Sequence, residues 1–302
     1  MFFMSTKVLL VGGSGFIGQH LKKSLINHYQ VYISGASERK LENYFHLDFS
    51  APSTFESIQH KQFDIIIMLA ASMKGIGNSN FTNPDLEINT IRSAYFLQFI
   101  ADNKITKRIV HISSMTVYAI PEILPVSETS KRIPLSIYGL SKKISEDITE
   151  FFSISNNINV MALRIPGIFG GKRKTGYIYN TVKNALQHKV IELNTEGLGY
   201  WECMYVEDLC KIIADLLAVY NWSKPFETFN IGYGEKIDFV NIAKDIVRLT
   251  KSKSKIFVQG EKGYVDFWLD NTKLKSTIPF HYTFNIALEN YVHKIVNDLH
   301  NR

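Results

Sequence analysis

The sequence predicts an α/β protein built on a doubly wound parallel sheet, and three observations carry this prediction. Apolar runs of strand length alternate with amphipathic runs of helix length through the first half of the chain. A glycine-rich turn that starts at Gly12 directly follows the first apolar run. The run at residues 64–71 is apolar on both faces, which is typical of a parallel strand covered on both sides. In a protein with this alternation, right-handed crossovers through the helices connect the parallel strands of the sheet.

Predicted strands and helices alternate along the chain as far as about residue 164, although three of the strands follow one another without a predicted helix between them. Residues 16–27 place Ile17, Leu21 and Leu25 on one face and predict a helix. Residues 84–103 and 136–156 predict two longer helices. The predicted strands cover residues 7–11, 31–34, 45–48, 64–71, 108–113 and 159–163.

The turn between the first strand and the first helix has the pattern Gly12-x-x-Gly15-x-x-Gly18. Its position after a strand and before a helix is the context that a dinucleotide-binding motif requires. The glycines let the backbone approach a pyrophosphate, whose charge the helix N-terminus meets. The alternative is a glycine-rich turn without a ligand. The pattern therefore predicts a Rossmann-type domain that binds a dinucleotide through Gly12, Ser14, Gly15, Phe16, Ile17 and Gly18.

The second predicted strand ends without the acidic residue that usually holds the adenosine ribose 2′-hydroxyl. We assign Ser34 to that position, with Arg39 and Lys40 shortly after it. Loss of a carboxylate and gain of cations suit a 2′-phosphate, so NADP is slightly preferred over NAD. It stays open that Arg39 and Lys40 are solvated loop residues. Asp48, after the third strand, is expected to accept a hydrogen bond from the adenine amino group.

Tyr138 and Lys142 lie four residues apart on a predicted helix and so share one face. Ser114 ends the preceding strand. A tyrosine serves as acid or base when its pKa falls from about 10 toward neutrality, and the charge of Lys142 favours that change. Ser114 is expected to hold the reacting oxygen. Together with the glycine turn, the three residues predict catalytic hydride chemistry on an alcohol or ketone.

The second half of the chain differs from the first. Its elements are shorter and are separated by glycine turns, and its recognisable helices cover residues 206–220, 238–250 and 284–299. We expect a dinucleotide-binding domain at residues 1–165 and a smaller mixed α/β lobe that binds substrate at residues 166–302. This division leaves open that some segments within residues 166–302 belong to the first domain.

These motifs resemble those of the extended short-chain dehydrogenases/reductases, in the NAD-dependent epimerase/dehydratase family of nucleotide-sugar enzymes. The resemblance covers nearly all of the 302 residues. Besides the glycine turn and the Ser114, Tyr138 and Lys142 set, it rests on Leu69-Ala70-Ala71, Asn89, Ser113-Ser114-Met115-Thr116-Val117-Tyr118, Leu163-Arg164 and Tyr205-Val206-Glu207-Asp208.

The resemblance implies further contacts with the cofactor and the substrate. The implied additional cofactor contacts are Phe49, Leu69, Ala70, Ala71 and Ile165, and the implied substrate contacts are Ser72, Met115, Gly167, Arg173, Trp201 and Lys262.

The chain departs from the pattern of the family at several of these positions. Met115-Thr116 stands where 4,6-dehydratases carry an Asp-Glu pair, so dehydration is disfavoured. Gly167 replaces an Asn that often grips the nucleotide diphosphate, and Trp201 replaces a common Arg. Basic residues around Arg173 and Lys262 are expected to meet the diphosphate charge instead.

The resemblance implies an NAD(P)-dependent cytoplasmic enzyme that acts on a nucleoside-diphosphate sugar by hydride transfer at a sugar carbon, most simply C4. Such an enzyme belongs to nucleotide-sugar metabolism and polysaccharide biosynthesis. A 4-keto reductase is slightly preferred over a 4-epimerase with tightly bound NAD, and a non-catalytic NAD(P)-sensing protein is the third alternative. A homodimer is implied as well.

Composition argues against several other classes of function. The net charge is 34 − 28 = +6, but the basic residues are scattered, so we expect no nucleic-acid partner. No apolar run reaches the roughly 18 residues of a membrane span, and the N-terminal Met1-Phe2-Phe3-Met4 lacks the features of a signal peptide. Cys203 and Cys210 are expected to be reduced thiols, without a disulfide or a metal.

Overall fold

The computed structural model describes residues 6–73, 84–193, 199–260 and 266–300. Its strands are β1 (Lys7–Val11), β2 (Gln30–Gly35), β3 (Tyr44–His46), β4 (Ile65–Met68), β5 (Arg108–Ser114), β6 (Asn159–Ile165), β7 (Gly167–Phe169), β8 (Ile191–Leu193), β9 (Cys203–Tyr205), β10 (Phe226–Asn230) and β11 (Ile256–Val258).

The helices lie between these strands. They are α1 (Phe16–Leu25), α2 (Pro84–Leu86), α3 (Ser93–Asp102), α4 (Ile137–Asn156), α5 (Tyr177–Leu186), α6 (Val206–Val219), α7 (Phe239–Leu249), α8 (Thr272–Thr277) and α9 (Phe284–His300), with 3₁₀-helices at Pro52–Ile58 and Met115–Val117 and a π-helix at Glu87–Arg92.

Seven strands of the described residues form one sheet in the order β10-β6-β5-β4-β1-β2-β3. Every neighbouring pair in this sheet is parallel. The order reverses between β1 and β4, the point at which doubly wound sheets bind ligands beyond the carboxyl ends of their strands. The predicted Rossmann-type α/β fold is confirmed, and β1 has the predicted bounds.

The chain divides into two compact units. The first contains the described residues up to Ala119, Thr129–Ile165 and Cys210–Asn230, and the second contains Ile120–Glu128, Pro166–Leu209 and the described residues from Ile231 onward. Strand β10 therefore belongs to the first unit, although the sequence pattern gave no sign of a strand there.

One face of the large sheet packs on an aromatic cluster. Leu9 and Val11 of β1 belong to this core together with Phe49, Phe55 and Phe96. The ring of Phe96 lies 5.0 Å from that of Phe55 and 5.1 Å from that of Phe49. Aromatic side chains bury large apolar areas, so this cluster fixes α3 against the sheet.

The segment predicted as one helix at residues 84–103 contains a π-helical turn. Glu87–Arg92 is π-helical, between α2 and α3. Such turns are rare in proteins, and many of those that occur lie at functional sites. This one carries Asn89, whose buried amide contacts both the end of β4 and helix α4.

In the second unit, the buried carboxylate of Glu202 connects two other segments. It accepts backbone hydrogen bonds from Gly234 (3.1 Å) and Leu269 (2.6 Å). Burial raises the pKa of Glu202 to about 7, although these amides act in the opposite direction. The short parallel pairs β7–β9 and β8–β11 also belong to this unit.

In the part of the chain that the structure describes, no helix is both long enough and apolar enough to cross a bilayer. Cys203 and Cys210 are both buried, and no disulfide joins them. Cys203 begins strand β9.

Candidate active site

The glycine turn brings the carboxyl ends of β1 and β4 into close contact. Gly12 has φ +82°, and a Cβ atom built on it would lie 2.7 Å from the backbone nitrogen of Ala70. A side chain at this position would therefore both strain the turn and separate the strands. The turn is closed by hydrogen bonds from Gly15 N to Gly12 O (2.9 Å) and from Ser14 N to Ser34 O (3.2 Å).

The N-terminus of α1 is suited to a pyrophosphate. Its N-cap is Gly15, which has no side chain to cap the helix, and its first turn carries no acidic residue. The amide groups of the first helical turn and the positive end of the helix dipole form an anion site. The predicted contacts at Phe16 and Ile17 lie in this turn. The residues present thus fit a dinucleotide.

The assignment of Ser34 to the ribose position requires correction. Ser34 is fully buried, and its hydroxyl contacts Leu10 O (3.5 Å) and accepts from Gly12 N (3.3 Å). Its side chain therefore supports the glycine turn from below and is inaccessible to a ligand. Successive residues of a strand point to opposite faces, so an error of one residue reverses the side chain.

The side chain of the next residue, Gly35, would point toward the glycine turn. A Cβ atom on Gly35 would collide with the hydroxyl of Ser14. The position beside the turn thus lacks a carboxylate, but it is residue 35 and not residue 34. Arg39 and Lys40 follow in an exposed segment. Asp48 is half-buried, and its Oδ1 accepts a hydrogen bond from Ser50 N (2.8 Å).

Strand β5 and helix α4 bring the three predicted catalytic residues together. The hydroxyl of the half-buried Tyr138 lies near the hydroxyl of Ser114, whose influence lowers the pKa of the phenol. Ser114 Oγ also accepts from Thr116 N (3.2 Å) and from Thr116 Oγ1 (2.9 Å). A Cβ atom at Gly139 would collide with Thr116 O, so the glycine after Tyr138 permits this close approach.

Lys142 lies one turn further along α4 and is 4% exposed. Its Nζ donates a hydrogen bond to Ile112 O of β5 (2.6 Å). Burial lowers the pKa of Lys142 to about 8, and the charge of Glu146 opposes this fall. The amine is thus protonated at neutral pH but titrates within the range of an ordinary assay.

The pKa of Tyr138 differs from the expectation. Burial and the negative charge of Asp85 raise it to about 12, and the hydrogen bond with Ser114 only partly offsets them. The side chains of the protein therefore keep the phenol neutral at pH 7. The pKa of Tyr138 can therefore fall toward neutrality only if positive charge is added to the site.

Asp85 was not predicted from the sequence, whereas its partner Ser72 was predicted as a substrate contact. Asp85 is fully buried and accepts a hydrogen bond from Ser72 Oγ (2.6 Å). Ser72 N donates to Asn89 Oδ1 (2.7 Å), and Asn89 Nδ2 donates to Ser141 Oγ on α4 (3.0 Å). This chain of hydrogen bonds connects the end of β4 with the helix that carries Tyr138.

A second buried network surrounds Glu146, which was also missed. Its carboxylate accepts from Arg164 Nη2 (2.8 Å), from Arg132 Nη1 (3.0 Å) and from the hydroxyl of Ser113. Although burial opposes the charge of Arg164, Glu146 and Tyr118 raise its pKa. The signal for Glu146 was its spacing, because it lies four residues after Lys142 on the sheet-facing side of α4.

The remaining predicted contacts fall into three groups. Phe49 and Met115 are buried, and the ring of Phe49 packs within the aromatic core. Leu69, Ala70 and Ala71 follow β4, and Ile165 ends β6 beside Ser114. The residues of the second unit are Gly167, which is exposed, Arg173, which is exposed and donates to Ile168 O (3.0 Å), and Trp201, which packs against Phe267 (5.6 Å).

Lys262 lies outside the described residues. The substrate contacts implied for it and for Gly167, Arg173 and Trp201 stay predictions.

A family model described as "NAD dependent epimerase/dehydratase family" matches residues 8–232, and this span includes the glycine turn and the Ser114, Tyr138 and Lys142 set. The chain belongs to this family. The predicted resemblance is thereby confirmed. The family is described as NAD dependent, which agrees with a nicotinamide dinucleotide at the glycine turn.

The names of individual relatives describe two kinds of activity at carbon 4, epimerisation and dehydrogenation. The chain is 30% identical over 255 residues to a Methanocaldococcus jannaschii protein named "Putative UDP-glucose 4-epimerase", covering 80% of this chain and 81% of that protein. It is 24% identical to a GDP-6-deoxy-D-talose 4-dehydrogenase of Aggregatibacter actinomycetemcomitans, covering 68% and 80%. The reductase preference finds no support in the first relative.

The fold is similar to that of a solved UDP-glucose 4-epimerase from Thermotoga maritima, crystallised with UDP-glucose. The TM-score is 0.82 at 23% identity, and the match covers 97% of this chain and all of the other. At this identity the likeness concerns the fold.

The environment of Ser34 gives the first testable prediction. Ser34→Asp places a carboxylate in a fully buried position against the carbonyl of Leu10. An uncompensated buried charge typically costs about 3–5 kcal/mol, so the free energy of unfolding in urea should fall by about that amount. Ser37→Asp, three residues away and exposed, is the control and should change stability by about 0.5 kcal/mol or less. Equal stability of the two variants would contradict the buried position.

Proposed function

We propose that the protein is a nucleoside-diphosphate-sugar 4-epimerase that uses a nicotinamide dinucleotide. The observation that carries the proposal is the placement of Ser114 at the end of β5 near Tyr138 of α4, with Lys142 one turn away, in the unit that holds the glycine turn. Thr116 supplies a hydroxyl where a dehydratase would need a carboxyl acid. The name of the Methanocaldococcus relative supports the choice of an epimerase over a reductase.

Each side chain has a definite task in this proposal. A bound oxidised nicotinamide would supply the acceptor for the hydride of the sugar carbon and would add positive charge to the site. Tyr138 takes the proton of the sugar hydroxyl as the alcohol becomes a ketone, and it returns the proton when hydride is delivered to the opposite face. Ser114 donates a hydrogen bond to the reacting oxygen. Lys142 stabilises the phenolate form of Tyr138.

The shifted pKa values support a role for the cofactor in timing this proton transfer. With its pKa raised to about 12, Tyr138 is a weak base in the protein alone. The ammonium of Lys142 opposes the charge of Asp85, and a bound oxidised nicotinamide would add positive charge that acts in the same direction.

A 4-keto reductase is the second candidate function, and Gly35 favours it. The position beside the glycine turn offers no carboxylate for a ribose 2′-hydroxyl, and Arg39 follows nearby. This arrangement suits NADP, which commonly serves as a reductant that is consumed. The relative named as a 4-dehydrogenase acts at the same carbon.

Turnover of nucleotide sugars separates these candidates. We expect purified protein to convert UDP-glucose and UDP-galactose into each other, with no net change in reduced cofactor at 340 nm. Tyr138→Phe should lower the rate by about 10²–10⁴-fold, since it removes the acid and base. Tyr95→Phe removes only the hydroxyl of a surface tyrosine on α3 and keeps the ring for the dimer contact proposed below, so it should retain the wild-type rate.

Other results of these assays would favour a different function or would exclude Tyr138 from the mechanism. Stoichiometric oxidation of NADPH by a 4-keto sugar would favour the reductase. Tight cofactor binding without turnover of UDP-, dTDP-, GDP- or CDP-sugars would favour a cofactor-sensing protein. A Tyr138→Phe variant as active as Tyr95→Phe would remove Tyr138 from the mechanism.

Cofactor choice is predicted to depend on residue 35. Gly35→Asp adds a carboxylate beside Ser14, and it should shift the ratio of NADP to NAD affinity toward NAD by about tenfold or more, the effect of one charge-assisted contact. Gly35→Asn, which adds the same bulk without the charge, is the control. Calorimetric titration of both cofactors measures the ratio. The same ratio in both variants would argue against ribose contact at this position.

We also propose a homodimer formed through α3 and α4. Large apolar side chains are exposed on or next to these helices at Ile91, Tyr95, Phe151 and Ile154, each more than half accessible. Phe151→Lys with Ile154→Lys should convert the dimer to a monomer in sedimentation velocity. Ile26→Lys, at an equally exposed site at the end of α1, should leave it dimeric. A monomeric wild type would refute this assembly.

A further inference from the structure

Glu146 is a buried carboxylate one helical turn after Lys142. Both side chains lie on the sheet-facing side of α4, with 0% and 4% exposure. Residues four apart on a helix are neighbours. A carboxylate buried at such a position is costly unless it is paired and hydrogen-bonded.

Three side chains hold this carboxylate in place from different parts of the fold. Arg164 of β6 donates from Nε to Oε1 (3.1 Å) and from Nη2 to Oε2 (2.8 Å). Arg132, in the segment before α4, donates to Oε2 (3.0 Å), and Ser113 of β5 donates to Oε1. Both oxygens are therefore engaged, and the carboxylate is fixed in orientation.

Lys142 is also fixed by a hydrogen bond, but its bonding partner carries no negative charge to balance the ammonium. Its Nζ donates to a neutral carbonyl, Ile112 O. The imidazole of His111, also on β5, is buried, and its pKa is lowered well below the usual value by burial and by Lys142, so it carries no charge. Glu146 supplies the negative charge that favours the ammonium form.

We propose that Glu146 is a positioning residue of the active site, whose fixed negative charge keeps Lys142 protonated beside Tyr138. This inference rests on the proposed function for its catalytic meaning. Arg164 and Arg132 set the strength of the effect, because they share the charge of the same carboxylate. A purely structural ion pair would join α4 to β6 without any influence on the titration of Lys142.

The other charged groups near this part of α4 have different neighbours. Asp147 pairs with Arg132 Nη2 (2.9 Å) and Lys143 (2.7 Å) on the partly exposed side of the helix. Asp85 acts on Tyr138. Asp147 is therefore a suitable control, since it is the next acidic residue in sequence and shares Arg132 with Glu146.

The test follows the titration of Lys142 directly by NMR of protein with ¹³Cε-labelled lysine, in the absence of substrate. Loss of one resonance in Lys142→Met assigns the signal. The wild-type midpoint is expected near pH 8. Glu146→Gln removes the opposite charge that favours the ammonium, so the midpoint should fall by about one pH unit or more. Asp147→Asn should leave it in place.

A second variant gives a shift of opposite sign and guards against misfolding of Glu146→Gln. Arg132→Gln removes a half-exposed cation from Oε2, so the charge of Glu146 acts more fully on Lys142 and the midpoint should rise. Glu146→Asp retains the charge and should restore most of the wild-type value. In turnover, the alkaline limb of the pH profile should move down in Glu146→Gln, because Lys142 loses its proton at lower pH.

An unchanged Lys142 midpoint in Glu146→Gln, or an equal shift in Asp147→Asn, would overturn the proposal. A fall of the midpoint in Arg132→Gln would do the same. Because the NMR titration needs no substrate, a failure of the epimerase assay leaves this result readable. Expected shifts without any sugar-nucleotide turnover would refute the proposed function alone.

Discussion

The ion pair between Glu146 and Arg164 joins α4, the helix that carries Tyr138 and Lys142, to the central strands, and the geometry of the candidate site depends on it. Arg164 of β6 also donates to Tyr118 Oη (2.8 Å), and Tyr118 donates to Asn230 of β10 (2.6 Å). One guanidinium thus connects α4, the turn after β5, and the edge strand of the sheet. Buried charges are tolerated when their hydrogen bonds are complete, and this network satisfies them from several elements.

Small side chains let α4 lie close enough to the sheet for these contacts. Ser141, Ser145, Thr149 and Ser153 recur every four residues and are all buried. The hydroxyls of Ser141, Thr149 and Ser153 donate to backbone carbonyls, as in the bond from Thr149 Oγ1 to Ser145 O (2.6 Å). The close approach brings Lys142 within hydrogen-bond reach of β5. Its charge, and with it the state of Tyr138, is then decided by burial and by the few ionised groups around it.

The nucleotide side of the site depends on backbone geometry more than on side chains. Gly12 permits the contact between the ends of β1 and β4, and Ser34 holds the turn from beneath. The missing carboxylate was evident in the sequence, but its position was misplaced by one residue. In a strand, that difference separates a buried support from a possible ligand contact.

The sequence by itself determined the features that arise from local rules. Strand and helix periods specified the alternation, the glycine spacing specified the turn, and the four-residue interval placed Tyr138 and Lys142 on one helix face. The tertiary structure alone decided that β10 returns to the sheet, that the charge of Asp85 acts on Tyr138, and that Glu146 pairs with Arg164. These contacts join residues far apart in the chain. Their energies, and the pKa values that follow from them, depend on burial, which only the packed fold creates.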